Sequence, residues 1–204
     1  MKSVVLLSGG LDSAVLLAYV RHDIGGPVVA LTVDYGQRHR RELWSAFQVA
    51  RFNGATHEVV VLPPAVFAGS ALTGGAGATE GAPTVVPGRN LVFVGLAVAC
   101  AVRHGAGAVY LAAHADDAPV YPDCRIGFAE SLNAAALDAY GVRVLTPFAG
   151  LSKREVVAEG RRLRVPFDQT WSCYDPRGFD PGAPASGVPC GACGACQARA
   201  GALA

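Results

Sequence analysis

Short runs of β-branched and other apolar residues alternate along this chain with longer segments of helical character. Strands that alternate with helices predict a parallel sheet covered by helices. The apolar runs are nearly continuous, as is typical of strands buried on both faces. We therefore expect a Rossmann-like α/β fold, a parallel sheet flanked by helices. The predicted strands cover residues 4–7, 28–33, 58–62, 108–112 and 142–146, and the predicted helices cover residues 12–21, 38–52, 90–104, 126–140 and 153–163.

Charge and hydropathy restrict the classes of function. The chain has 204 residues, with 17 Lys and Arg against 16 Asp and Glu, so its net charge is +1. Binding to many phosphates of a nucleic acid normally requires a basic surplus, so a nucleic-acid partner is not expected. No signal peptide is recognisable, and no apolar stretch reaches the roughly 20 residues that span a bilayer. We expect a soluble, cytoplasmic protein with no membrane partner.

A glycine-rich segment, residues 8–13 with the sequence SGGLDS, follows the first predicted strand and opens the first predicted helix. Its two glycines let the backbone turn tightly and approach a ligand closely. Because a helix N-terminus presents free N–H groups to an anion, this segment can bind phosphate. It lacks the lysine of a Walker loop and does not fit the dinucleotide fingerprint. An ordinary strand-to-helix turn, capped by Asp12 or Ser13, fits the same residues equally well.

Four of the six cysteines lie near the C-terminus, at Cys173, Cys190, Cys193 and Cys196. In a cytosolic chain, such clustering favours a metal site over disulfides. Three thiols at intervals of three residues can surround one ion, and Cys173 supplies a fourth ligand. Four thiolates give the closed tetrahedral geometry of a structural Zn²⁺ site, and we expect one such ion per chain. An iron–sulfur cluster is the competing interpretation, since it also takes four cysteines.

Taken together, these motifs resemble a known family. The segment SGGLDS matches the PP-loop of the N-type ATP pyrophosphatases, which holds the pyrophosphate released when the α-phosphate of ATP is attacked. The remaining motifs resemble the 7-cyano-7-deazaguanine synthase family of that superfamily, in the same order and over essentially the whole chain. The resemblance implies an adenine nucleotide alpha-hydrolase-like fold. These motifs are residues 34–39, 69–73, 86–90, 121–125 and 170–174 and the three C-terminal cysteines.

The resemblance implies roles for individual residues around the nucleotide. Asp12 is a candidate Mg²⁺ contact, although a helix-cap role is equally open. Arg89 and Lys153 are candidate catalytic cations that balance phosphate or carboxylate charge, and a solvated surface lysine fits Lys153 equally well. His39 is a candidate nucleotide contact, although an ordinary surface position is the favoured interpretation. The implied ATP-binding residues are Leu7, Ser8, Gly9, Gly10, Leu11, Asp12, Ser13, Ala14, Val15, Leu16, Leu17, Val33 and Asp34.

The substrate site implied by the resemblance lies on the loop around Tyr121. Tyr121, Asp123 and Arg125, with Arg89, are the candidates for binding a purine-like base by hydrogen bonds and stacking. Asp123 also suits an ordinary turn before a helix, so that alternative stays open. Two further features bear on this site. Residues 63–88 are rich in Gly, Ala and Pro and predict a long loop, and residues 112–117 depart from the family pattern.

The activity implied by the resemblance is an ATP-dependent carbon–nitrogen ligation in queuosine or 7-deazapurine biosynthesis. The family converts 7-carboxy-7-deazaguanine and ammonia to the nitrile through an acyl-adenylate and an amide. A homodimer is also implied, with an ATP-binding domain at residues 1–165 and a zinc knuckle at residues 166–204. A related enzyme that stops at the amide, or passes the adenylated carboxylate to another amine, is the main alternative. A tRNA thiolase, a GMP- or NAD-synthetase-like amidotransferase and a zinc-knuckle binding module are the other rivals.

Overall fold

The computed structural model describes residues 1–73 and 84–204, which form a five-stranded parallel sheet with helices on both faces. The strand order is β3-β2-β1-β4-β5, so the chain starts in the middle and builds outward in both directions. The expected Rossmann-like α/β fold is therefore confirmed. The strands are β1 (Ser3–Leu6), β2 (Val28–Asp34), β3 (Thr56–Val61), β4 (Ala108–Tyr110) and β5 (Arg143–Leu145).

Six α-helices accompany the strands within residues 1–73 and 84–204, and the central strand is buried on both faces. Val5 of β1 packs toward one face and its neighbour Val4 toward the other, and both side chains are fully buried. A strand that faces helices on both sides has no polar face, which explains the continuous apolar runs of the sequence. The helices are α1 (Leu11–Tyr19), α2 (Arg41–Phe52), α3 (Arg89–His104), α4 (Ile126–Tyr140), α5 (Lys153–Arg162) and α6 (Gly194–Leu203).

The boundaries of the helices differ from the predictions in a few places. Helix α2 begins three residues later than predicted, because the backbone N–H of Arg38 donates to the Leu72 carbonyl at 2.8 Å instead of opening the helix. Helix α5 begins as predicted, with the reciprocal capping box between Ser152 and Glu155. Helix α6 was not predicted at all, since its sequence of small residues shows no apolar periodicity.

The C-terminal segment packs on the sheet domain through backbone and side-chain contacts. The Trp171 N–H donates to the Gly9 carbonyl at 2.9 Å, and Ala202 of α6 is buried in the core that α1 and α5 share. The Arg161 guanidinium donates to the Leu203 carbonyl at 2.6 Å. These contacts tie the cysteine-bearing segment to the glycine-rich loop. The boundary at residue 165 between two domains stays a prediction.

The long loop between β3 and α3 is only partly described. It contains short 3₁₀ turns at Pro64–Phe67 and Ala71–Thr73. Residues 74–83 of this predicted loop lie outside the described residues. Across the part of the chain that the structure does describe, no helix combines the length and apolar character needed to cross a bilayer.

Candidate active site

The glycine-rich loop joins the end of β1 to the start of α1, at the point where the strand order reverses. In open parallel sheets, ligands bind at this reversal, outside the carboxyl ends of the strands. The Ser8 N–H donates to the Ser13 hydroxyl at 3.2 Å, and the Ser13 hydroxyl donates to the Gly10 carbonyl at 3.1 Å. The first bond inside α1 runs from Ala14 N–H to that same carbonyl. The N–H groups of the first helical turn therefore stay available to an anion.

Gly9 brings this loop against α2 in a way that only glycine permits. Its φ is +87°, and an added Cβ would overlap the Glu42 carbonyl oxygen and lie 2.6 Å from the Ala46 nitrogen. The backbone conformation and the lack of space thus both require glycine. The close approach fixes the position of the loop relative to α2.

A charged cluster lies beside the loop, at the N-termini of α1 and α5. The Asp12 carboxylate forms an ion pair with the Lys153 ammonium. Nε2 of His114 lies 3.3 Å from Oδ2 of Asp117 and 3.8 Å from Oδ1 of Asp12. Burial raises the pKa of Asp117, and the nearby Asp12 raises it further, while His114 opposes the shift.

Two atoms of this cluster are buried and lack a hydrogen-bond partner among the described residues. They are Oδ1 of Asp12 and Nδ1 of His114. Buried polar atoms are normally paired, so orphaned ones in a cleft indicate a place where a ligand completes the bonding. The carboxylate oxygen of Asp12 suits a cation or a hydrogen-bond donor at this position.

The opposite wall of the cleft carries a second set of polar residues. Burial, assisted by the Glu42 carboxylate, raises the pKa of the Tyr35 phenol to about 12. Burial lowers the pKa of the Arg89 guanidinium, but Tyr35, Tyr174 and Glu42 together outweigh this effect and the net shift is upward. The expectation that His39 lies at the surface is wrong. Its side chain is buried against the ring of Tyr174, 5.3 Å between centroids.

The two walls enclose one open cleft with a volume of about 1370 Å³. It brings together several residues predicted for the site. The candidate catalytic residues Asp12, Arg89 and Lys153 all line it, as does Tyr121 of the predicted substrate loop. Cys124 lines it too, and burial raises the pKa of its thiol to about 12. Among the predicted nucleotide residues, those that line the cleft are Leu7, Ser8, Gly10, Leu11, Asp12, Ser13 and Val33.

Other predicted residues have their side chains elsewhere. Asp34 pairs with Arg40 and accepts the Gly36 N–H, so its carboxylate is used in closing the turn after β2. The Asp123 carboxylate accepts the Asn90 N–H at 3.4 Å, near the start of α3, and Arg125 donates to the Ala118 carbonyl at 3.2 Å. The four predicted nucleotide residues that follow in α1 have their side chains buried in the core: Ala14, Val15, Leu16 and Leu17.

The four predicted metal ligands, Cys173, Cys190, Cys193 and Cys196, converge at one edge of the cleft. Their sulfur atoms all lie within 4.8 Å of one another. The Cys190 N–H donates to the Cys173 sulfur, and the Cys193 N–H donates to the Cys190 sulfur, both at 3.3 Å. The backbone N–H groups of Cys193 and Ala192 lower the pKa of the Cys190 thiol to about 6. Thiolates stabilised by backbone N–H groups fit a four-cysteine metal site.

Arg199 and His114 line the cleft, and the sequence analysis did not single them out as individual candidates. Arg199 of α6 donates to the Thr170 hydroxyl at 2.7 Å and to the Phe167 carbonyl at 2.5 Å, and burial lowers the pKa of its guanidinium. No motif in the Ala- and Gly-rich sequence around Arg199 identifies it as a site residue. His114 had a signal, because it lies in the stretch that departs from the family pattern. The fold then brings that stretch directly against Asp12.

A central strand followed by a glycine-rich loop, with a polar cleft at the strand reversal, places the chain in the class of open α/β proteins that bind a ligand at the carboxyl ends of parallel strands. Within that class, the chain belongs to the family described as "Queuosine biosynthesis protein QueC", whose model matches residues 2–204.

Curated relatives agree with this membership. The chain is 42% identical over 212 residues to the 7-cyano-7-deazaguanine synthase of Paracoccus denitrificans, covering 98% of this chain and 87% of the relative. It is 39% identical over 213 residues to the enzyme of the same name from Leptospira interrogans, covering 97% of this chain and 84% of that relative. The expected family is therefore confirmed.

Solved structures share the fold at lower identity. The U34-tRNA thiolase NcsA from Methanococcus maripaludis, solved with its [4Fe-4S] cluster, superposes with a TM-score of 0.57 at 16% identity. The alignment covers 86% of this chain and 61% of the thiolase. The NMN synthetase from Francisella tularensis gives a TM-score of 0.55 at 21% identity, covering 82% of this chain and 63% of the synthetase. At these identities the likeness concerns the fold.

Proposed function

We propose that this chain is an ATP-dependent carbon–nitrogen ligase that converts 7-carboxy-7-deazaguanine and ammonia to 7-cyano-7-deazaguanine. The synthases named above support this assignment by their identity over nearly the whole chain. The observation that carries it is the single cleft. The cleft extends from the glycine-rich loop to the wall formed by Arg89 and Tyr121, so a nucleotide and a small planar substrate can bind next to each other there.

Adenylation activates the substrate carboxylate for attack by ammonia. A carboxylate is a poor acyl donor, because its leaving group would be oxide. Attack by the carboxylate on the α-phosphate of ATP gives an acyl-adenylate and releases pyrophosphate, and AMP then serves as the leaving group. The protein needs to align the reactants and stabilise phosphoryl charge, for which donors and cations suffice.

The residues of the glycine loop take the phosphates in this proposal. The N–H groups at the start of α1, with the hydroxyls of Ser8 and Ser13, bind the pyrophosphate. Lys153 neutralises phosphoryl charge beside Asp12, whose orphaned Oδ1 is the proposed contact for Mg²⁺. Leu7 and Val33 line the part of the cleft proposed for the nucleoside. The buried side chains of residues 14–17 support the loop from the core.

Arg89 and Tyr121 bind the 7-deazaguanine in this proposal. Arg89 stands beside Tyr35 and 6.0 Å from the Phe93 ring centroid, which holds the guanidinium in the wall of the cleft. Asp123 acts through the start of α3, since its carboxylate accepts the Asn90 N–H next to Arg89. Arg125 stays a proposed substrate residue, and its present bond to Ala118 orders the same loop.

The nitrile requires two rounds of the same activation. Ammonia attacks the acyl-adenylate, AMP departs and loss of a proton leaves the amide. The amide oxygen then attacks the α-phosphate of a second ATP and releases pyrophosphate. Departure of AMP with loss of both amide protons gives the carbon–nitrogen triple bond. The oxygen leaves on AMP, so the step is a dehydration without free water. The site supplies the same phosphate donors to both rounds.

The cysteine site is proposed to hold one structural Zn²⁺. Four thiolates leave no open position for water, so this ion contributes folding free energy and no Lewis-acid step. Cys190 and Cys193 line the cleft, and the Trp171 N–H binds the Gly9 carbonyl. The metal thereby holds one wall of the active site in place.

We also propose that the protein is a homodimer in the cytoplasm. On its outer side, β3 pairs with no other strand of the described residues, and Val59 and Val61 on it are 50% and 71% exposed. An exposed, apolar edge strand suits burial against a second copy. The near-zero net charge gives no support for a nucleic-acid partner. Sedimentation equilibrium of the Val61→Lys variant, compared with the unaltered chain, tests this dimer surface.

The assigned reaction is tested by mass spectrometry of products from ATP, Mg²⁺, ammonium and 7-carboxy-7-deazaguanine. Nitrile with AMP in twofold molar ratio supports both adenylation rounds. An amide end-product overturns the dehydration and supports the alternative of a ligase that stops there. AMP formed only when another amine is supplied supports transfer to that amine. Folded, metal-loaded protein that makes no AMP overturns the assignment.

A further inference from the structure

A second cluster of metal-type side chains lies outside the active-site cleft. It consists of Glu58 on β3 and of Cys100 and His104 on α3, and is called the β3–α3 cluster here. None of the three lines the cleft. We propose that this cluster is a binding site for a borderline-soft divalent ion such as Zn²⁺, with Arg103 as the group that the ion displaces.

The positions of the three ligand side chains on β3 and α3 bring them close together. Cys100 and His104 are four residues apart on one helix, so their side chains project from the same face. Glu58 faces them from the neighbouring strand. Its Oε1 lies 2.7 Å from Nε2 of His104, and its Oε2 lies 3.9 Å from the Cys100 sulfur. All three ligand atoms lie within 4.8 Å of one another, so small side-chain shifts bring them to one ion.

The donor types select the class of ion. One thiol, one imidazole and one carboxylate suit Zn²⁺ and its neighbours in the first transition row, whereas Mg²⁺ and Ca²⁺ prefer oxygen throughout. Three protein ligands leave one position open for water, unlike the closed set of four cysteines. The side chains of Glu58 and His104 are each 23% exposed, so an ion can enter from solvent.

The positively charged side chain that lies against the cluster in this structure is Arg103. Its guanidinium pairs with the Glu58 carboxylate and approaches the Cys100 sulfur at 3.9 Å. The side chain is 62% exposed and lies on a helix surface, so it can swing into water. An exposed ion pair contributes little free energy, and a metal site with three ligands contributes more. The incoming ion takes the place of the Arg103 guanidinium beside Glu58. It binds Cys100 as the thiolate, so the thiol proton is released to solvent.

The test is a Co²⁺ titration of full-length protein whose four-cysteine site has first been filled with zinc. Zinc binds such sites more tightly than cobalt, so Co²⁺ leaves the four-cysteine site filled and a cobalt–thiolate absorption reports on a further thiol ligand. We expect one equivalent to bind and to give a thiolate-to-cobalt charge-transfer absorption in the near ultraviolet. Cys100→Ser abolishes that band. His104→Gln weakens binding by about 10- to 100-fold, whereas His22→Gln at an exposed site leaves it unchanged.

Arg103→Gln tests the proposal at an exposed position, so the substitution should leave the folded core intact. Removal of the competing guanidinium lowers the Kd for Co²⁺ by up to about fivefold, the equivalent of an exposed ion pair. If neither the unaltered protein nor Arg103→Gln takes up Co²⁺, the cluster is only an ion-pair network and the proposal is wrong. Uptake that persists unchanged in folded Cys100→Ser and His104→Gln also overturns it, because the ion then binds elsewhere.

Discussion

The Asp12 carboxylate and the Lys153 ammonium form an ion pair although 141 positions separate them in the chain. Each residue lies in the first turn of its helix, and α1 and α5 pack side by side with their N-termini at the same end of the sheet. Two helix N-termini and a lysine thus concentrate positive potential beside the glycine loop. The side chain of Lys153 is 21% exposed and faces the cleft, which favours its catalytic role over a solvated surface position.

Substitution of Lys153 should therefore impair chemistry more than folding. Lys153→Met removes the cation that neutralises phosphoryl charge, and we expect AMP formation to fall by about 100-fold or more. Lys2 is the other lysine of the chain and lies outside the cleft, so Lys2→Met is the matched control. AMP release is measured in both variants with saturating ATP. Activity close to that of the unaltered protein in Lys153→Met would remove the lysine from the mechanism.

Gly9→Ala should cost far more stability than an ordinary glycine substitution. The new methyl group meets the backbone of α2 at Glu42 and Ala46, and the φ of +87° is unfavourable for alanine. We expect a loss of about 3 kcal/mol or more in the free energy of unfolding, because backbone on both sides has to move. Gly105→Ala has a similar φ of +61° with open space around it, and should cost only about 1–2 kcal/mol. Equal losses in urea unfolding would contradict the crowding at Gly9.

Stability should fall in strong alkali through Tyr35. Burial raises its pKa to about 12, so the folded state keeps a proton that the unfolded chain loses near pH 10. This contribution is present below about pH 10 and is lost as the pH rises from about 10 through about 12, at a cost of about 2–3 kcal/mol. Tyr35→Phe should flatten this fall, whereas exposed Tyr140→Phe should not. Urea unfolding at a series of alkaline pH values measures both, and parallel curves for the two variants would exclude Tyr35 as the source.

Loss of one cysteine ligand should release the metal and loosen the cleft. Cys193→Ser leaves three thiolates, and we expect the metal content to drop toward zero and Tm to fall by several degrees or more. Because Trp171 joins this segment to the glycine loop, AMP formation should fall with the metal. Ala192→Ser puts the same hydroxyl in the same loop and should keep the metal. Elemental analysis and calorimetry follow the two variants; full metal content in Cys193→Ser would rule out the four-cysteine site.

The fold and the two main motifs could be predicted from the sequence because their signals are local. Continuous apolar runs identify buried parallel strands, and the segment SGGLDS identifies a strand-to-helix turn from neighbouring residues alone. The spacing of Cys190, Cys193 and Cys196 likewise reflects how a short chain can surround one ion. Each of these patterns has a physical meaning that does not depend on distant residues.

The remaining site residues were decided by tertiary packing. Arg199, buried His39 and the placement of His114 against Asp12 result from segments far apart in the chain, so no local pattern marks them. Helix α6 was missed for the same reason: its small residues become helical where they pack against α5, and not through any apolar periodicity of their own. The sequence determined the sheet, the loop and the spacing of the cysteine cluster through short-range chemistry. Only the folded chain decided which charges meet in the cleft, because Coulomb and hydrogen-bond energies depend on distances in space.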